Sequence, residues 1–147
     1  MMRNKLRSYQ TVDTLGKSSA ELVVKVYEGA ISCLNEAIRQ YQAENIPRGY
    51  EELEKAKKFI VHLYTTLDEK KGGDIAKKLS QLYAFIMEQL NLAQVRPDLS
   101  TVENSITILN NLREGWVQLA ENYGRKAGLA GNRFDKEQEI KNLSLSV

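Results

Sequence analysis

Few side chains in this sequence can do chemistry, and they are far apart. His62 is the single histidine and Cys33 the single cysteine. A di-metal centre in a helical bundle draws on paired Glu-x-x-His motifs with partner glutamates. Here Phe59 stands three residues before His62, and a second histidine is lacking, so neither metal nor cofactor is expected. Cys33 would need a nearby base and an electropositive setting to become a nucleophile. It sits beside Leu34 within an apolar helical pattern, which suits packing. Gly72-Gly73 invites comparison with a phosphate loop, but the order G-x-x-x-x-G-K-[ST] and a preceding strand are both lacking. No catalytic residue emerges, and no enzymatic activity is expected.

What the spacing does define is helices. An apolar stripe runs through Ile60, Leu63 and Leu67, stops at Gly72-Gly73, and resumes through Ile75, Leu79 and Leu82. That pattern predicts two antiparallel helices joined by a short turn at the glycine pair. The first helix starts at the capping box of Ser18 and Glu21. Its stripe includes Leu22, Val26, Tyr27, Ala30, Ile31 and Leu34, and it stops near Asn45, before Ile46-Pro47. The second helix is expected from about Arg48 to Asp68 and the third from about Asp74 to Gln94. A second capping box, Ser100 with Glu103, opens a fourth helix carrying Val102, Ile106, Leu109, Leu112 and Trp116. The expected fold is therefore all-α, an antiparallel four-helix bundle in up-down-up-down order. It divides into a flexible N-terminal arm (1–17), the bundle (18–123), and a C-terminal tail (124–147) that extends the last helix or is disordered.

The 147 residues suffice for one domain with a real core. Net charge is only +2, and acids alternate with bases through residues 51–58. Such alternation describes a solvated helix face rather than a nucleic-acid surface. One cysteine rules out an intramolecular disulfide and suits a reducing compartment. No apolar run is long enough to span a bilayer, and residues 1–8 lack the apolar core of a signal peptide. The expectation is a cytoplasmic protein without membrane insertion. The apolar arcs of the first and third helices are wider than a bundle core requires. They serve either a larger core, burial under the terminal segments, or a surface for a bound helix or wrapped peptide.

Several motifs, in order, are similar to those of the FliS family, the flagellar export chaperones that hold flagellin. Ser18-Ser19-Ala20-Glu21-Leu22 resembles the family's S-P-E-E-L helix start, and Tyr27-Glu28-Gly29-Ala30-Ile31 its Y-[DN]-G-A-[IL]. Ala56, Ile60, Leu63 and Thr66-Leu67-Asp68 resemble A-x-x-I-I-x-x-L followed by T-L-D. Gly72-Gly73-Asp74-Ile75-Ala76, then Leu79 and Leu82-Tyr83, resemble G-G-E-I-A with L and L-Y-D-Y-M; Leu112-Arg113 with Trp116 resembles L-R-x-x-W. The likeness covers roughly residues 8–119. Lys57 replaces a frequent Gln, and Ala84-Phe85 replaces D-Y.

The resemblance implies a chaperone that wraps the disordered C-terminal segment of flagellin. It would block premature polymerisation and deliver the subunit to the flagellar type III export gate, as a monomer pairing 1:1 with its client. It implies that Tyr9 and Gln10 belong to an N-terminal cap over an empty client groove. It also makes Leu22, Tyr27, Ala30, Ile60, Leu67, Leu82 and Tyr83 client-binding candidates, each of which is core or groove. Gly29 in mid-helix calls for a close approach by another helix or by the client, since glycine there costs about 1 kcal/mol against alanine.

Overall fold

The computed structural model describes residues 19–126 as four helices: α1 (Ser19–Gln42), α2 (Ile46–Thr65), α3 (Glu69–Val95) and α4 (Leu99–Lys126). The arm lies outside the described residues, with its Ser18 cap, Tyr9 and Gln10, and so does the tail beyond Lys126. Each helix packs on its sequence neighbours, and α4 closes the ring against α1. Pairings run in opposite directions along α1 and α2, where Gly29 meets Phe59 and Tyr41 meets Gly49. Only antiparallel helices pair that way.

The core is the expected set of stripes. Leu34, Leu53, Ile60, Ile86, Leu90, Val102 and Leu109 are all fully buried. Gly29 is explained within the fold. A Cβ there would stand 2.6 Å from the Phe59 ring, so the glycine lets α2 close on α1. The wide arc of α1 is largely used in this way. Val26, Ile31, Cys33 and Ile38 are half-buried against the core rather than free.

Three polar side chains meet inside this apolar frame. The Tyr27 and Tyr83 hydroxyls are hydrogen-bonded to each other, and Trp116 Nε1–H donates to Tyr27 Oη at 3.2 Å. The triad ties α1, α3 and α4 together at the bundle centre. Burial pushes the Tyr27 phenol up to about 12 and raises Tyr83 as well. A raised phenol stabilises the fold fully below its unfolded value of 10.0. That contribution is lost as pH rises from there through about 12. Alkaline titration followed by circular dichroism and tyrosinate absorbance should therefore show Tyr27 ionising together with loss of helix in that window. Tyr27 itself is read as the absorbance difference from Tyr27→Phe, because the chain has seven tyrosines. Its ionisation in a fully folded bundle near pH 10 would contradict this.

The links depart from expectation in three places, each for a local reason. The α2–α3 turn is residues 66–68, not the glycine pair. Asp68 caps α3 by accepting from the Lys70 and Lys71 N–H groups at 3.0 and 3.2 Å. The chain then makes one turn, in which Gly72 N–H donates to the Asp68 carbonyl at 2.7 Å, before kinking at Gly73 with φ 60° and ψ −140°. Only glycine adopts those angles at ease. A Cβ at Gly73 would meet nothing within 4 Å, so the cost of Gly73→Ala is backbone strain alone. It should lower stability by about 1–3 kcal/mol, read from urea unfolding midpoints.

The other two differences concern helix starts. Pro47 lies in the first turn of α2 and helps begin it. Its missing N–H is one that the first turn leaves unpaired anyway. The N-terminus of α4 is capped by Asp98, whose Oδ1 accepts from Ser100 N–H at 3.0 Å and from Ser100 Oγ at 2.7 Å. Ser100 thus supports the cap instead of being it. At the far end, helical backbone continues through Gly124 to Lys126.

Candidate functional site: the apolar faces of α2 and α3

Among the described residues, eight large apolar side chains are exposed, and all of them belong to α2 or α3. On α2 they are Ile46, Tyr50, Val61 and Tyr64; on α3 they are Ile75, Phe85, Leu92 and Val95. Helical phase sorts them into two stripes. Tyr50, Val61 and Tyr64 share one flank of α2 with Lys57. Lys57 reaches Gln94 of α3, which turns that flank towards α3.

The second stripe runs along the opposite flank of α3. Its core line is Leu79, Tyr83, Ile86 and Leu90, and Gln94 marks the side towards α2. Ile75 and Leu82 fall on the other side, towards the α4 seam, and Phe85 and Leu92 lie further round on the outward face. There α4 offers half-buried Ile108, Leu112 and Leu119, on the side away from Arg113, which pairs with Glu28 of α1 at 2.7 Å. One apolar stripe thus lies on α2 along its seam with α3, and the other on the far side and outward face of α3.

A polar bridge crosses the α2–α3 stripe. Lys57 Nζ donates to Glu54 Oε1 at 2.8 Å and to Gln94 Oε1 at 2.9 Å. Gln94 Nε2 donates to Glu54 Oε1 at 2.9 Å and to the Tyr50 carbonyl at 3.3 Å. Hydrogen bonds from Lys57 and then Gln94 hold the Glu54 carboxyl below its ordinary range. The α1–α4 seam is different in kind. Two open grooves of about 460 and 420 Å³ flank the Glu28–Arg113 pair. They are lined by Val24, Val117 and Ala120 at one end and by Ser32, Asn35 and Asn110 at the other.

The reactive side chains are quiet. Burial, then the charge of Glu52, raises the Cys33 thiol, which keeps it protonated. Burial lowers His62 and favours the neutral ring. Among the described residues no His, Cys, Asp and Glu group is placed to hold a metal ion, and no helix is long and apolar enough to cross a membrane.

The structure separates the sequence candidates. Tyr27, Ala30, Ile60 and Tyr83 are at most 1% exposed and serve the core. Leu22, Leu67 and Leu82 are half-buried, and of these Leu82 lies in the α3 stripe described above. Tyr9 and Gln10 lie outside the described residues. None of the eight exposed apolar residues, of which Val95 at 85% is the most exposed, is among the binding candidates read from the sequence. Their signal was present as apolar residues just off the core period.

These apolar faces can be set beside known proteins. The family model described as "Flagellar protein FliS" matches residues 2–123, most of the chain. The chain belongs to the FliS family. Three flagellar secretion chaperones show the degree of likeness. The one from Vibrio cholerae is 33% identical over 126 residues, covering 83% of this chain and 93% of its own. The one from Salmonella typhimurium is 32% identical over 107 residues, covering 72% and 79%. The Pseudomonas aeruginosa chaperone FliSB is 26% identical over 115 residues, covering 76% and 91%. The FliS match ends at Tyr123, so most of the C-terminal stretch lies beyond what the family model describes.

Proposed function

We propose that this FliS-family chain binds the C-terminal segment of flagellin on the apolar faces of α2 and α3. It does so as a cytoplasmic monomer, 1:1 with its client, prevents premature polymerisation, and delivers the subunit to the flagellar type III export apparatus. It catalyses no reaction. The observation that carries the reading is the placement of all eight exposed large apolar side chains among the described residues on two adjacent helices. An apolar surface of this kind on a protein otherwise rich in charge marks an interaction site. Two stripes flanking one helix suit a ligand that wraps rather than plugs. Ordering a disordered segment costs about 2–5 kcal/mol, and an extended apolar contact offsets it.

The reading is tested by seeded flagellin polymerisation followed by light scattering. Equimolar chaperone should halt filament growth, and half that amount should halt about half of it, as a 1:1 complex requires. Unchanged growth at excess chaperone would contradict the proposal.

A further inference from the structure

The polar bridge on the α2–α3 seam stands where an apolar ligand would lie. Tyr50 is on one side of it along α2, and Val61 and Tyr64 are on the other. Its members are only part-exposed, the Lys57 side chain at 18% and that of Glu54 at 44%. The bridge is also incompletely satisfied. Lys57 uses two of its three ammonium protons on Glu54 and Gln94. Glu54 Oε2 accepts no hydrogen bond among the described residues; both donors converge on Oε1. A leucine laid across this point would strip water from a cation and a carboxylate and give nothing back.

Resting on the flagellin reading above, we infer that Lys57, Glu54 and Gln94 are specificity-determining residues of the client groove. They select a segment that is apolar at both ends and carries a hydrogen-bonding side chain in the middle. Helical rise sets the spacing. Lys57 stands about 10 Å along α2 from Tyr50 and about 6 Å from Val61. A helical client lying along the seam matches with an apolar residue, a glutamine or glutamate seven positions on, and a second apolar residue four beyond that, or the reverse order. Its side-chain oxygen takes the third Lys57 proton, and a glutamine amide also donates to Glu54 Oε2. The bridge thus discourages indiscriminate apolar helices, a use of unpaired polar groups against wrong partners.

The test uses the full chain, its flagellin, and two synthetic amphipathic helical peptides. The peptides carry the spacing above and differ only in glutamine or leucine at the central position. By fluorescence anisotropy, the wild-type chain should bind the glutamine peptide about tenfold more tightly. Lys57→Met combined with Glu54→Leu and Gln94→Leu, which removes every polar member of the bridge, should reverse that preference and weaken flagellin binding by a similar factor. Lys57→Gln, which keeps a hydrogen-bonding group, should hold the preference, and melting curves should show all variants folded. Equal or tighter binding of the leucine peptide by wild type, or a triple variant with unaltered preference, would overturn the inference. If wild type selects the glutamine peptide but ignores flagellin, the selectivity stands and the choice of client falls.

Discussion

Tyr27→Ala is expected to remove about 3–5 kcal/mol of stability, a large part of what a domain of this size holds. Two losses combine. The ring fills the centre of the bundle at 0% exposure, so truncation leaves a cavity that close-packed helices fill only in part. The hydroxyl joins Tyr83 to Trp116 Nε1–H, so both partners lose a buried hydrogen bond. Tyr27→Phe isolates the second loss and should cost about 1–3 kcal/mol. Tyr83→Phe should cost less than Tyr27→Phe, because Tyr27 then keeps its bond from Trp116. Urea unfolding of the three variants gives the order directly. A Tyr27→Phe protein as stable as wild type would mean that the triad contributes nothing beyond packing.

The second large effect falls on binding. Tyr64→Glu combined with Phe85→Glu places one charge in each apolar stripe, at side chains that are 48% and 47% exposed. Affinity for flagellin should fall by about 100-fold or more, the loss expected when two anchors of an interface are replaced by charge. Stability should change by about 0.5 kcal/mol or less, because neither residue belongs to the core. Asn35→Glu with Asn110→Glu, in the polar groove of the α1–α4 seam, serves as the matched control and should leave affinity unchanged. Titration calorimetry on the four proteins (wild type, the two apolar-stripe singles combined, the control, and both pairs together) separates the seams. Loss of binding in the control alone would move the client to α1 and α4.

The helices were legible because apolar period is a strong signal over twenty or more residues, and the bundle followed from links of three residues. Helix ends were less so, since several residues compete to form them. Gly72-Gly73 looks like the turn, yet Asp68 in Thr66-Leu67-Asp68 has the better capping side chain and wins the position. Gly73 then absorbs a kink within α3. Pro47 can stop one helix or start the next, and here it starts α2.

The site was harder to see than the fold. Adjacent residues on a helix are about 100° apart, so Tyr83 and Phe85 differ in sequence by two positions and in fate completely. Tyr83 is buried and bonded to Tyr27, whereas Phe85 faces outwards. Family motifs offered Tyr27, Ala30, Ile60 and Tyr83 as core or groove, and all four are buried. The wide arc of α1 is likewise taken up by neighbours: Gly29 admits Phe59, and Ile31 and Ile38 pack on the core. The arc of α3 is the one left open. Only knowledge of where neighbouring helices lie tells the two arcs apart.

One measurement bears most directly on the claim that α2 and α3 hold the flagellin C-terminal segment. The full chain is titrated with full-length flagellin and, in parallel, with flagellin lacking that segment, under conditions that keep both monomeric. Saturable 1:1 binding to the first and none to the second is the expected result. Equal binding to both would contradict the account.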